Sequence, residues 1–270
     1  MHKRNKKTPA NPITASSWSI SNLSRECNMK YVGGKYKIGK HIANQLLMLG
    51  PPDMVSGYVE PFCGSLGVMR FMTDKGYTSY QAYDKHDDLI KMWKAVKHEK
   101  ICLPETCPEE EYKMWRDTDM ACDAPAERTA IGYGMSFGGS WWGGYARDPE
   151  GKRDYMKELK NGFTRILPSI KNVEFAHSDY QSLKPKGKLV YLDPPYQGCK
   201  GYNAVGKFNH TEFWAWAEKL TDDNVVVVSH PTAPESWVQV WTSQKWRTLS
   251  HNQRDHATER LWIYAPIFDF

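Results

Sequence analysis

The chain has 270 residues, 40% hydrophobic and 13% aromatic with 11 Trp, which excludes a disordered protein and suits one α/β domain carrying an insertion. Its net charge of +5 suits an anionic partner without demanding one. Six cysteines with no C-x-x-C pair exclude the usual zinc frameworks and fit reduced thiols, and the apolar runs are too short to span a bilayer.

In chain order, residues 1–28 carry clustered Lys and Arg, prolines and few apolar residues, and read as a disordered basic arm that adds non-specific attraction to nucleic acid or only solubilises the chain. No apolar h-region follows those charges, so a cytoplasmic location is expected. "YVGGKYKIGKHIANQLLML" then sets Gly33 and Gly34 before an amphipathic helix with Ile38, Ile42, Leu46 and Leu49 at helical spacing, stopped by Pro51 and Pro52.

"SGYVEPFCGSLGVMRFM" reads as a strand, a glycine turn and the start of a second helix. The pattern repeats in "YTSYQAYDKHDDLIKMWKAV": a strand over Tyr80–Tyr83, Asp84 at its end, then a helix with Leu89, Met92, Trp93 and Val96 on one side. From Ile101 to Pro168 no helical or strand period is sustained; "FGGSWWGGYARDP" is rich in glycine and aromatics, and an inserted, partly helical region with long loops is expected.

Strands resume with "NVEFAHSDY", ending at Asp179, and "KLVYLDPPY". In the latter, Leu189–Leu192 suit a strand covered on both faces, while Pro194 and Pro195 remove two backbone donors and stop the ladder, delivering Asp193 and Tyr196 to a stiff corner. "HTEFWAWAEKL" is a helix with Thr211 as its expected N-cap, "NVVVVSH" a buried strand, and "WRTLSHNQ" with "ATERLWIYAPI" a closing antiparallel pair. Strands alternating with helices give an α/β class with a mostly parallel sheet.

Ligands of open α/β sheets bind outside the carboxyl ends of the strands. Four acids, Glu60, Asp84, Asp179 and Asp193, fall at four successive strand ends. The turn after Glu60 has neither the G-x-G-x-x-G fingerprint nor a P-loop lysine, and an acid there repels a pyrophosphate but welcomes a cation or an amine. Asp84, roughly 20 residues past the glycine turn, is placed for a ribose diol, and Asp179 for an adenine amine. A nucleoside with a positive centre and no phosphate meets that description, as S-adenosylmethionine does.

"YVGGKYK", "YVEPFCGSLG" and "YLDPPY", in that order, resemble the Dam-type (D12 class) DNA adenine-N6 methyltransferases of bacteria and phages, over roughly residues 30–100 and 172–270. The resemblance implies a class I, Rossmann-like methyltransferase fold using S-adenosylmethionine, with a catalytic domain over 29–85 and 172–270 and a target-recognition region over 86–171. It implies cofactor contacts at Tyr31, Gly33, Gly34, Lys35, Glu60, Pro61, Phe62, Cys63, Gly64, Asp84, Asp179, Tyr180 and Asp193. It implies catalysis at Asp193, Pro194, Pro195 and Tyr196: the Asp193 carboxylate and the Pro194 carbonyl hold the target amine, and Tyr196 stacks on a flipped adenine.

Double-stranded DNA is the implied partner, with no metal and no membrane; monomer and weak dimer both stay open. Contacts to DNA are expected from Lys35, Trp141, Trp142, Tyr145, Arg147, Lys152, Arg153, Tyr202 and Phe208. Arg147 reads a guanine edge or touches phosphate, Lys152 and Arg153 touch phosphate, and core packing is an equal expectation for the two tryptophans, Tyr202 and Phe208. The rival readings are RNA adenine or cytosine-N4 methylation and a catalytically silent DNA-binding protein; the Asp of "DPPY" leans toward adenine.

Overall fold

The computed structural model describes residues 29–117, 124–196, 208–250 and 253–265. The expected basic arm, Tyr202, and Cys27, Cys122 and Cys199 lie outside the described residues. The chain divides into two compact units, one of residues up to Val32 with Lys91–Pro168, the other of Gly33–Ile90 with Ser169–Phe270.

The second unit is built on a seven-stranded sheet: β1 (Gly57–Glu60), β2 (Ser79–Asp84), β3 (Val173–His177), β4 (Lys188–Leu192), β5 (Val225–Ser229), β6 (Trp237–Ser250) and β7 (Gln253–Tyr264). Their order is β3-β2-β1-β4-β5-β7-β6. β1 to β5 pair in parallel, while β7 runs antiparallel to both β5 and β6. This is an open, Rossmann-like sheet with one reversed strand inserted between the last two. The order reverses between β1 and β4, and a ligand crevice opens at such a switch point.

Central strands covered on both faces read as unbroken apolar runs. β1 is buried throughout, and Leu189–Leu192 and Val226–Ser229 are buried in full. One layer of the core joins Val59, Val190, Leu192, Val226 and Val228 to Phe213, Ala217 and Leu220 of helix α7 (His210–Leu220). Burying each such side chain contributes about 1.5–3 kcal/mol relative to leaving it exposed.

Helix α1 (Gly39–Leu49) buries Ile42 and Leu46, with Ile38 buried at its N-cap. The turn after β1 leads into the short helix α2 (Met69–Met72). α3 (Asp87–Lys97) buries Leu89, Met92, Trp93 and Val96, as its spacing predicts.

Three local expectations are corrected. The cap of α7 is Asn209, whose side chain accepts from the amides of Thr211 and Glu212 at 3.1 and 3.3 Å; Thr211 supplies an orphan donor instead. β3 stops at His177, and Asp179 caps the 3-10 turn Tyr180–Ser182. The closing hairpin begins at Trp237 rather than Trp246, because β6 takes its register from β7.

The first unit contains α4 (Glu109–Asp117), α5 (Pro125–Gly134) and α6 (Tyr155–Ile170, which also extends past the unit boundary). The expected break points of 85/86 and 171/172 fall at 90/91 and 168/169. Helix α5 runs through Gly132 and Gly134, in a stretch whose glycines suggest a loop. These glycines serve close packing: a Cβ on Gly132 would come within 2.8–3.0 Å of the Trp141 and Trp142 rings, and one on Gly134 within 2.8 Å of Leu159.

Residues 29–32, expected in the catalytic domain, belong to this unit too. The Val32 amide donates to the Gly139 carbonyl at 3.1 Å, and Tyr31 packs on Tyr133 with ring centroids 4.8 Å apart.

Candidate active site

The site grows from the turn after β1. Glu60 ends that strand fully buried, 3% exposed, and accepts a 2.6 Å hydrogen bond from the Tyr58 hydroxyl. The following turn takes Gly64 to φ 46° and Leu66 to φ 58°, left-handed conformations that a leucine adopts only when its surroundings hold it. The Cys63 amide donates to the Tyr83 carbonyl at 2.9 Å, so the turn is tied to β2.

Gly67 closes the turn against the "GGK" loop. A Cβ on Gly67 would lie 2.8 Å from the Lys35 backbone nitrogen, and one on Gly39 would overlap the Gly67 carbonyl. The Lys35 carbonyl in turn accepts from the Ile38 and Gly39 amides, at 3.0 and 2.6 Å, and starts α1. Two motifs far apart in sequence are therefore held backbone to backbone.

That contact delivers Lys35 to the Asp-Pro-Pro-Tyr corner. Its ammonium lies 2.8 Å from Asp193 Oδ1, donates to the Tyr196 hydroxyl at 2.9 Å and to the Gly33 carbonyl at 3.3 Å, and pairs with Glu259 at 3.6 Å. Lys35, expected also as a DNA contact, is only 6% exposed, and its donors go to these partners. The Tyr196 hydroxyl donates to Glu259 Oε1 at 2.5 Å, and Ser229 also bonds that oxygen.

Burial strips water from charges and favours their neutral forms unless an opposite charge compensates. Glu60 is pushed up to about 8 by burial against the Tyr58 hydrogen bond, so it holds its proton at neutral pH. Asp193 rises only to about 6: burial raises it, Lys35 pulls it back, and Glu259 pushes it up again. The Lys35 ammonium 2.8 Å away favours its ionised form. Burial also works against the Lys35 charge, but Asp193 and Glu259 outweigh it and hold the ammonium protonated. The Tyr196 phenol is held neutral by burial and by the Asp193 charge.

The other predicted residues divide. Asp84 ties strand ends together: one carboxylate oxygen accepts from the Gly64 amide and the other from the His86 amide, both at 3.0 Å. Asp179 pairs with Lys85 at 2.8 Å besides capping its turn. Phe62, Tyr180 and Phe208 form one aromatic cluster with Phe213, with centroids 5.3–5.9 Å apart. Phe208 therefore takes the core-packing reading.

In the first unit, Trp141 and Trp142 pack at tilted angles against Tyr133, Tyr112 and the Arg128 guanidinium, a small local core. Tyr145 packs on Tyr112 and donates to the Cys107 carbonyl at 2.9 Å. Arg147 stays 66% exposed but is clamped by Glu109 through its Nη2 and Nε. Lys152 pairs with Glu150 and Arg153 with Glu158, both on the surface.

Sequence reasoning missed Ser229, His230 and Glu259. Ser229 and His230 follow four valines at the end of β5, and polar residues closing so apolar a strand are the one signal that marks them. Glu259 has no local signal. His230 is 3% exposed, packs against Tyr196 at 5.4 Å, and is held neutral chiefly by burial.

Among the described residues, no group of three His, Cys, Asp or Glu is placed to hold a metal, and no helix is long and apolar enough to cross a membrane. Among the described residues at the switch point of the sheet, the partly buried Asp84, Asp193 and Glu259 and the buried Glu60 outnumber the one cation there, Lys35, a lining whose chemistry suits a positively charged ligand such as S-adenosylmethionine.

No family model and no curated protein matches the sequence. Solved structures resembling it include a Pyrococcus horikoshii protein provisionally described as an RNA methyltransferase (TM-score 0.42, 10% identity, over 94% of this chain and 95% of that one). An Escherichia coli protein provisionally described as a methyltransferase has TM-score 0.37 and 12% identity over 89% and 99%. A precorrin 8W decarboxylase of Methanobacterium thermoautotrophicum has TM-score 0.35 and 10% identity over 84% and 90%. Resemblance this distant carries no argument about the reaction, which rests on the site itself.

Proposed function

We propose that this protein is an S-adenosylmethionine-dependent methyltransferase acting on adenine N6 in duplex DNA. The observation that carries the proposal is the Asp193–Pro194–Pro195–Tyr196 corner at the carboxyl end of β4, beside Glu60 and bonded by the "GGK" lysine. S-adenosylmethionine supplies an activated methyl group on a positively charged sulfur. Glu60, Pro61, Phe62, Cys63 and Gly64 would hold its amino-acid and ribose end with Gly33 and Gly34, Asp84 would take the ribose hydroxyls with its remaining lone pairs, and Asp179 with Tyr180 would border the adenine.

The amine of adenine is a weak nucleophile because its lone pair is delocalised into the ring. The Asp193 carboxylate and the Pro194 carbonyl accept its two hydrogens and hold nitrogen in line, so positioning supplies much of the gain. Positive charge develops on that nitrogen as it gains a carbon, and the ionised Asp193 stabilises it. The electron pair of the broken carbon–sulfur bond would stay on the departing thioether sulfur, and one proton then leaves the nitrogen for solvent water. Tyr196 offers an aromatic face to the flipped base, where stacking contributes about 1–3 kcal/mol. The first unit, carrying Arg147, Lys152 and Arg153, would be the target-recognition region.

Incubation with labelled S-adenosylmethionine and unmethylated duplex DNA, followed by nucleoside analysis, tests the proposal. N6-methyladenine in the DNA is the expected product. Label in RNA, or at cytosine N4, would replace the substrate; cofactor binding without transfer would make the chain a silent binder.

A further inference from the structure

An acceptor corner for a developing positive charge should not be neutralised by a buried lysine, yet Lys35 sits 2.8 Å from Asp193. Only a second carboxylate restores negative charge there. Glu259, on β7, supplies it: its carboxylate pairs with Lys35, accepts from the Tyr196 hydroxyl and bonds Ser229. It is 13% exposed at its side chain, so this charge lies inside the site rather than on the surface.

We infer that Glu259 is a positioning residue of the methyl-transfer site: it shares the Lys35 ammonium with Asp193 and anchors the Tyr196 hydroxyl, keeping the corner anionic and the tyrosine ring in one orientation. The inference rests on the methyltransferase reading above. One feature of the fold makes Glu259 suited to the task. The strand that carries it is the reversed one, paired with β5 through Ser229 and Leu261, so it enters beside the corner from the opposite direction to β4.

Among the described residues, the groups facing this carboxylate are few. Lys35 comes from the loop before α1, Asp193 and Tyr196 from the end of β4, and Ser229 and His230 from the end of β5. Tyr191 and Glu60 face Asp193 but are held neutral by burial at neutral pH. Lys35 is the one cation among them, and Glu259 is what opposes its hold on Asp193.

The test is Glu259→Gln, which keeps the size and a hydrogen-bonding oxygen for Tyr196 while removing the charge. The Asp193 carboxyl resonance, observed by carbon-13 NMR in aspartate-labelled protein and assigned with Asp193→Asn, should titrate about one unit or more lower in the variant. In the methyl-transfer assay, kcat should fall roughly tenfold to a hundredfold, the loss of a charge-assisted hydrogen bond. The acid limb of its pH profile should move down with the Asp193 titration.

An unmoved Asp193 titration with an unmoved pH profile would overturn the inference and leave Glu259 a packing residue. A wild-type protein that transfers no methyl group would overturn the function instead, since the NMR titration reads the Glu259 effect without turnover. Glu259→Asp, which restores charge at shorter reach, should recover part of the shift; failure to recover any counts against a charge effect.

Discussion

Replacing Glu60 by Gln should make the protein more stable and flatten its response to pH. The carboxyl is buried, and its pKa rises from the ordinary 4.5 to about 8, chiefly through loss of water. A raised value in the folded state means the native protein binds a proton that the unfolded chain has released. Stability from this group is therefore complete below pH 4.5 and is lost as pH rises toward 8. At about 1.4 kcal/mol per unit the full loss is about 5 kcal/mol, of which about 3 kcal/mol is gone by pH 7.

Glutamine is neutral at every pH and keeps an oxygen for the Tyr58 hydroxyl. The difference in urea-unfolding free energy between variant and wild type should therefore grow by about 4 kcal/mol between pH 5 and pH 8.5, toward a more stable variant. Taking the difference cancels the contributions of Asp84 and Asp193, which are raised too. A difference constant to within about 0.5 kcal/mol across that range, the scale of a surface substitution, would refute the reasoning. The same proton gives a second reading: S-adenosylmethionine brings a positive charge, so calorimetry in buffers of different ionisation enthalpy should show a proton released on binding at pH 7.

Asp193→Ala should abolish methyl transfer while cofactor binding, measured by calorimetry, largely survives; loss of both together would place Asp193 in the cofactor site only. Gly132→Ala should destabilise the first unit by about 1–3 kcal/mol, because the added methyl meets two tryptophan rings at 2.8–3.0 Å, with thermal unfolding as the readout. Arg147→Ala should leave stability within about 0.5 kcal/mol, its partner Glu109 being a surface group. It should relax the preferred DNA sequence more than it weakens binding at low salt; a uniform loss over all sequences would make Arg147 a phosphate contact.

Much of the sheet was legible because its signals are local. A run such as Val225–Val228 can only be a strand buried on both faces, and two prolines after Leu192 can only end one. The amphipathic spacing of α1 and α3 is equally local. Helix α5 was not legible, because its glycines look like a loop until Trp141, Trp142 and Leu159 are placed against them. The caps of α7 and of the turn at Tyr180 were half legible: Asn209, Thr211 and Asp179 are all capping types, and only backbone geometry chooses among them.

The chain's own order of residues thus determined where β1, β2 and β4 stop and which acid stands at or just past each end, since an apolar run and its punctuation need only near neighbours. What the acids do was decided by the folded protein. Asp84 and Asp179 each spend an oxygen on an amide two residues on, whereas Asp193 meets Lys35 from 158 positions away, and Tyr196 meets Glu259 from 63 away. No pattern in the sequence brings those pairs together. Two contacts do: the close backbone approach of Gly67 to Lys35, and the pairing of reversed β7 with β5. Charge in a buried site depends on such distances, so which carboxyl is ionised and which is neutral was a property of the tertiary structure alone.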